Sequence, residues 1–167
     1  GRGMSALEKI LDKATSKTAD KTTSKARLRL WLRLLKASKL IETELRERMR
    51  RELDTTLPRF DVMAALSRNP EGLKMSALSG VLKVSNGNVT GIVERLVEDG
   101  FVRRDAVEND RRAFLAKLTD AGRAEFARQA EAHEAWVDEL LDDVEPERAE
   151  RLAQLLGEVA AHMEEEN

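Results

Sequence analysis

The segment Leu82-Lys-Val-Ser-Asn-Gly-Asn-Val-Thr-Gly-Ile-Val-Glu-Arg-Leu96, followed by Gly100 and by the run Asp110-Arg111-Arg112, carries the most structural information in this chain. Val89, Ile92, Val93 and Leu96 recur at helical spacing and form one apolar face. Ser85 precedes them with a hydroxyl that can accept from the backbone N–H of Asn88, the chemistry of a helix N-cap. The opposite face has little apolar bulk. Asn86, Gly87, Asn88 and Thr90 lie near the positively polarised start of the helix, where short polar side chains reach base edges and backbone N–H groups meet phosphate. Gly100 fits the left-handed position that ends a helix, with Phe101 placed to pack back on Leu96. Together these features read as a DNA-recognition helix that turns directly into a wing.

The flanking sequence agrees with that reading. A shorter helix, about Met75 to Leu82, precedes the recognition segment, and the pair makes a helix-turn-helix. Upstream, Thr56 can cap a helix with Pro58 in its first turn and with Phe60, Val62, Met63, Ala64 and Leu66 on its buried side, until Asn69-Pro70 ends it. Downstream, Val102 to Val107 and Ala113 to Leu118 read as two strands joined by the polar turn Glu108-Asn109-Asp110. Thr119 caps a long helix with Phe126, Ala130, His133, Trp136, Val137 and Leu140 at its apolar positions. Glu145-Pro146 opens a last helix carrying Leu152, Leu155, Leu156, Val159 and Met163. Residues 26–52 form the first long helix: Leu28-Arg-Leu-Trp-Leu-Arg-Leu alternates like a strand, but Leu34, Ile41 and Leu45 continue a helical stripe too long for one.

The expected organisation is therefore mainly α with a small β-wing. A flexible basic arm (1–24), with Gly1-Arg2-Gly3 as a tag remnant, precedes a dimerisation and ligand-pocket helix (25–55). A winged helix-turn-helix lobe (56–119) and C-terminal dimerisation helices (120–167) follow. The apolar stripes at both ends exceed what one winged lobe needs. Pairing with a second copy accounts for them, and packing of the long helices within one chain is the alternative.

Composition narrows the function classes. At 167 residues one core suffices, and abundant Leu, Ala, Glu and Arg with three prolines favour helices. The absence of cysteine removes disulfide scaffolding, thiolate metal sites and thiol redox sensing, and two isolated histidines make a poor metal site. No metal or cofactor is expected. No apolar run approaches membrane-spanning length and no secretory leader is evident, so a cytosolic protein without membrane contact is expected. A net charge of −2 conceals a gradient: residues 1–39 hold 11 basic against 3 acidic residues, and residues 119–167 hold 4 against 15. Basic residues gathered on one surface can hold nucleic acid in spite of the overall balance. The lysine-rich arm either lies solvated or settles on DNA phosphate. No nucleophile and base pair, metal cluster or phosphate-cradling loop supports an enzyme.

The order Ser85-x-x-x-x-Thr90, Leu96-x-x-x-Gly100-Phe-Val-x-Arg104, Asp110-Arg-Arg112 and Leu118-Thr119-x-x-Gly122 resembles the MarR family of bacterial transcription regulators across roughly residues 26–165. The resemblance implies a triangular homodimer with two winged lobes, and ligand-released repression. Lys83 stands where helix-turn-helix sequences commonly place a glycine. Ser79 replaces the usual small apolar alanine, and its hydroxyl is expected to bond to a preceding carbonyl if buried.

Within that frame, two recognition helices about one DNA turn apart demand a near-palindromic operator of double-stranded DNA. Ser85, Asn86, Asn88 and Thr90 are the expected base and phosphate readers, with Asn88 otherwise a second capping group. Arg95 reaches phosphate or base, or pairs with Asp99 one turn on. In the wing, Asp110 is placed to orient the Arg112 guanidinium, for which the resemblance implies minor-groove insertion. Arg103, Arg104 and Arg111 either contact phosphate or pair with Glu108 or Asp105. For the effector, Trp31 leads, with Arg27, Arg33 and Lys36 on the same helix, Phe60 and Met63 on the second, and His133 and Trp136 on the fifth. Aromatic side chains suit a flat ligand and arginines a carboxylate or phosphate, although core packing is the alternative for Phe60, Met63 and Trp136. The Thr55–Leu66 and Asn86–Thr90 segments look like those of regulators of aromatic-acid (hydroxycinnamate-type) catabolism. That likeness implies an aromatic carboxylate or an aromatic acyl-coenzyme A as effector. A winged module that coats DNA, or scaffolds protein, without an effector is the competing function.

Overall fold

The computed structural model describes residues 3–82 and 86–166, with the backbone alone for Asn86. In chain order the elements are α1 (Ala6–Leu53), α2 (Leu57–Arg68), β1 (Leu73–Lys74), α3 (Met75–Leu82), α4 (Asn86–Glu98), β2 (Val102–Val107), β3 (Asp110–Leu118), α5 (Asp120–Leu140) and α6 (Pro146–Glu165). The chain divides into two compact units, one up to Glu44 and one from Leu45 onward.

In the first unit the long helix starts well before residue 26, where the sequence placed its beginning. Helix α1 begins at Ala6 and is continuous to Leu53. Ser5 and Glu8 form a capping box at its start: the Glu8 amide donates to Ser5 Oγ at 3.2 Å, and the Ser5 amide donates to Glu8 Oε2 at 2.9 Å. Further along, Thr15, Thr18 and Thr22 donate their hydroxyls to the carbonyls four residues back at 2.8, 3.0 and 2.9 Å. The capping box is a local signal that needs no core, whereas the threonine hydroxyls only share carbonyls already bonded within the helix.

The second unit holds the core. Val62, Met63, Ala65 and Leu66 of α2, Leu78 of α3, and Val89, Val93 and Leu96 of α4 close on Val102, Ala116 and Leu118 of the sheet. On α2 the buried alanine is Ala65, whereas Ala64 is half-buried. Thr56 caps α2 by accepting from the Arg59 amide at 3.3 Å, with Pro58 in the first turn. The sheet order is β1-β3-β2, antiparallel throughout. β1 is a two-residue strand, Leu73↔Ala116 and Lys74↔Leu115, too short to carry a periodic signal. The wing turn is tighter than expected, because Asp110 already pairs with Val107 and only Glu108-Asn109 remain outside, Asn109 at φ 68°.

Helix α4 ends as its sequence implies. The Phe101 amide donates to the Leu96 carbonyl at 2.9 Å and the Gly100 amide to the Val97 carbonyl at 3.0 Å, with Gly100 at φ 80°. These two bonds define a Schellman motif. The exit is then fastened to α5, whose cap Thr119 accepts from the Gly122 amide at 3.0 Å while donating its hydroxyl to the Gly100 carbonyl at 2.6 Å. Ser79 departs from expectation: its hydroxyl is buried with no hydrogen-bond partner among the described residues. A serine fits that position by size alone.

Candidate nucleic-acid interface

Helix α4 buries Val89, Val93 and Leu96 completely, which fixes its rotation and turns Gly87, Asn88, Gly91 and Arg95 outward. Thr90 is half-buried. Ser85 and Lys83 lie outside the described residues, as does the Asn86 side chain. Beside α4 a groove of about 250 Å³ is lined by Gly87, Asn88, Gly91, Ile92 and Arg95 together with Thr56 and Arg59 of the α2 N-terminal turn. The Arg95 guanidinium, the Asn88 side-chain amide and the Asp99-paired Arg59 guanidinium line it, a positively charged set that suits an anionic oxygen.

Arg59 was not singled out by its sequence context. Its guanidinium pairs with Asp99 at the end of α4, joining residues forty positions apart. Of the alternatives for Arg95, the bridge to Asp99 is not the one found: Arg59 takes the Asp99 carboxylate from α2 and Arg95 lines the groove. Only the Thr56 cap, which orders the first turn of α2, hinted that Arg59 would be held in place.

Strand alternation separates the two adjacent arginines of β2. Arg103 shares a face with Asp105 and with its cross-strand partner Lys117, and the Asp105 carboxylate bridges Arg103 Nε at 3.2 Å and Lys117 Nζ at 3.1 Å. Arg104 faces the other way, 3.8 Å from Glu94 of α4 and over the Phe114 ring at 5.1 Å from its centroid. Both arginines thus engage carboxylates, Arg103 through the expected Asp105 and Arg104 through an acid on the recognition helix.

At the wing tip Arg111 and Arg112 are exposed. Asp110 orients this tip differently from the expectation. Its Oδ1 accepts from the Arg112 backbone amide at 3.1 Å, an Asx-type turn, where a bond to the guanidinium was expected. The amide lies two residues on, within the short reach of an aspartate side chain. The main chain is fixed and the guanidinium extends beyond it.

The residues expected to meet an effector fall in both units. Arg27, Trp31, Arg33 and Lys36 are exposed on α1 in the first unit, Trp31 at 56%. In the second unit Phe60, Met63 and Trp136 are buried. Phe60 stacks on His133 at 4.6 Å and on Phe126 at 5.5 Å between centroids. Burial in this stack holds the His133 imidazole below its ordinary value of 6.5.

A solved MarR family transcriptional regulator from Silicibacter pomeroyi is 39% identical over 84% of this chain and 97% of its own, with a TM-score of 0.69. This chain belongs to the MarR family. The family profile itself matches residues 55–114, from the α2 cap into β3. The HTH-type transcriptional regulator PecS of Dickeya dadantii is 33% identical over 106 residues, 62% of this MarR-family chain and 64% of PecS, so the match spans less than two thirds of that relative. A mutant MarR from E. coli complexed with operator DNA is 28% identical, covering 76% of this chain and 91% of its own, with a TM-score of 0.65. No helix among the described residues is long and apolar enough to cross a membrane.

Proposed function

We propose that the chain is a homodimeric repressor that binds a near-palindromic operator and is released from it by a small aromatic carboxylate or an aromatic acyl-coenzyme A thioester. The DNA half of this reading is supported by one observation: α4 is locked by its buried face so that Asn88, Arg95 and the groove they line face outward, while the wing tip leaves Arg111 and Arg112 exposed. The likeness to a MarR complexed with operator DNA supports the same assignment. Asn86, Asn88 and Thr90 then read bases and phosphates with Ser85 at the helix start, and Arg112 enters the minor groove.

Pairing of two chains is supported by α6, which buries none of its residues and exposes Leu152, Leu155, Leu156, Val159 and Met163. The dimerisation role falls to residues 25–55 and 120–167, and DNA binding to 56–119. For the effector, Trp31 with Arg27, Arg33 and Lys36 on α1 supplies an aromatic surface and cations.

The test is an electrophoretic shift of the duplex upstream of the chain's own gene beside a random duplex at the same salt. Preference by about a thousandfold or more marks a site-specific regulator, and release by aromatic acids or their thioesters identifies the effector class. Equal affinity for both duplexes would make the protein a DNA-coating module.

A further inference from the structure

The first half of α1 carries a regularity that the winged lobe does not use. Lys9, Lys13, Lys17, Lys21 and Lys25 recur every four residues, and Arg29 and Arg33 keep the same step. On a helix each step of four rises about 6 Å and turns about 40°, so the five lysines form one ridge about 24 Å long, inclined to the axis. All five are exposed, and none takes part in an ion pair among the described residues. Asp20 is the only acid between Lys13 and Ile41.

We propose that this ridge is a second DNA-contacting surface, which holds duplex phosphates independently of sequence. It extends the function proposed above and rests on it in so far as the winged lobe brings the duplex. The residues around the lysines select the partner. From Asp12 to Arg27 the chain has no Leu, Ile, Val, Met, Phe or Trp; the intervening positions are Ala, Ser and Thr apart from Asp20. A membrane-surface helix needs a bulky apolar face to insert, and a coiled-coil partner needs an apolar seam. Neither exists between Asp12 and Arg27, and the exposed Leu7, Ile10 and Leu11 beside Lys9 make too short a cluster for either. Small side chains around a row of ammonium groups let a polyanionic backbone lie close along the helix. The hydroxyls of Thr15, Thr18 and Thr22 are spent on the helix's own carbonyls, so the ridge binds through charge and carries no base-reading donors of its own at those positions.

Counterion release gives the test its scale, because each phosphate neutralised on duplex DNA contributes about 0.9 to the slope of log K against log salt. Two full-length variants are compared with the parent: Lys13→Gln with Lys17→Gln and Lys21→Gln, and the same three with Lys9→Gln and Lys25→Gln. Glutamine matches lysine in helix propensity, and circular dichroism checks that helicity is kept. Binding is measured to the upstream duplex, to a random duplex and to phosphatidylserine vesicles across a salt series. The expected result is a slope shallower by up to about 2.7 and about 4.5 per chain respectively, on both duplexes alike. Unchanged DNA slopes and affinities in both variants would overturn the proposal and leave the ridge a solvated face. Lysine-dependent vesicle binding with unchanged DNA slopes would overturn it in favour of a membrane surface. Lysine-dependent slopes in a protein that does not prefer the upstream duplex would uphold the ridge and defeat the site-specific regulator instead.

Discussion

Gly122 and Phe101 meet backbone to backbone: a methyl group on Gly122 would lie 1.9 Å from the Phe101 carbonyl oxygen. The same carbonyl accepts from the Thr119 amide at 3.0 Å, so the cap of α5 and the exit of the recognition helix share one contact. Gly122→Ala is expected to destabilise the fold by on the order of 3 kcal/mol or more, because backbone must move to admit the methyl. Thermal unfolding measures it, with a midpoint lower by roughly 6–12 °C for a chain of this size. Gly91→Ala is the control. No atom lies within 4 Å of a methyl placed there, and on α4 it should gain about 0.5–1 kcal/mol of stability. Similar effects from the two substitutions would show that the Phe101 contact is unimportant.

Ser79 offers a prediction of the opposite sign. Its buried, unpartnered hydroxyl costs about 1–3 kcal/mol of desolvation, so Ser79→Ala is expected to raise stability by about 1 kcal/mol in urea titrations. A destabilised variant would mean that the hydroxyl has a partner in solution.

The wing tip separates two roles for one carboxylate. Asp110→Ala removes the acceptor for the Arg112 amide and is expected to weaken operator binding several-fold. Asp110→Asn retains Oδ1 as an acceptor and should bind nearly as the parent does. If both variants lose affinity equally, the negative charge matters and the guanidinium is its target after all.

Asn88 is expected to read a base from its exposed place on α4. Asn88→Ala should then reduce discrimination between the operator and single-base variants by about 1–3 kcal/mol at the position contacted. A uniform loss across all duplexes would reassign the amide to phosphate.

His133 makes stability depend on pH. Burial holds its folded-state affinity for a proton below that of the unfolded chain, so the imidazole contributes fully above about pH 6.5. As pH falls, the unfolded state takes up the proton first and stability drops until the folded value is passed. His133→Phe keeps a ring against Phe60 and should reduce the loss of stability between about pH 7.5 and about pH 5.5. An identical pH slope in the variant would assign the loss to carboxylates.

Much of the second unit was legible because its signals are local. Thr56, Thr119 and Gly100 act on residues within one helical turn, and Val89, Val93 and Leu96 declare a face by spacing alone. The illegible parts were contacts across distance or signals of another kind. Arg59 finds Asp99 only after α2 and α4 pack, and Glu94 meets Arg104 only when β2 lies against α4. β1 is too short for alternation to register. The start of α1 is marked by the capping signal Ser5-x-x-Glu8, which went unrecognised beside the lysine-rich run that follows. Adjacent Arg103 and Arg104 could have been separated beforehand, since neighbours on a strand point to opposite faces.

Helix α6 has twenty residues and buries none of them. Most helical stability in proteins comes from packing of an apolar face, and in the proposed dimer the second copy supplies that packing for α6. Under that proposal its melting follows protein concentration, and dilution is expected to unravel the C-terminal end before the winged core.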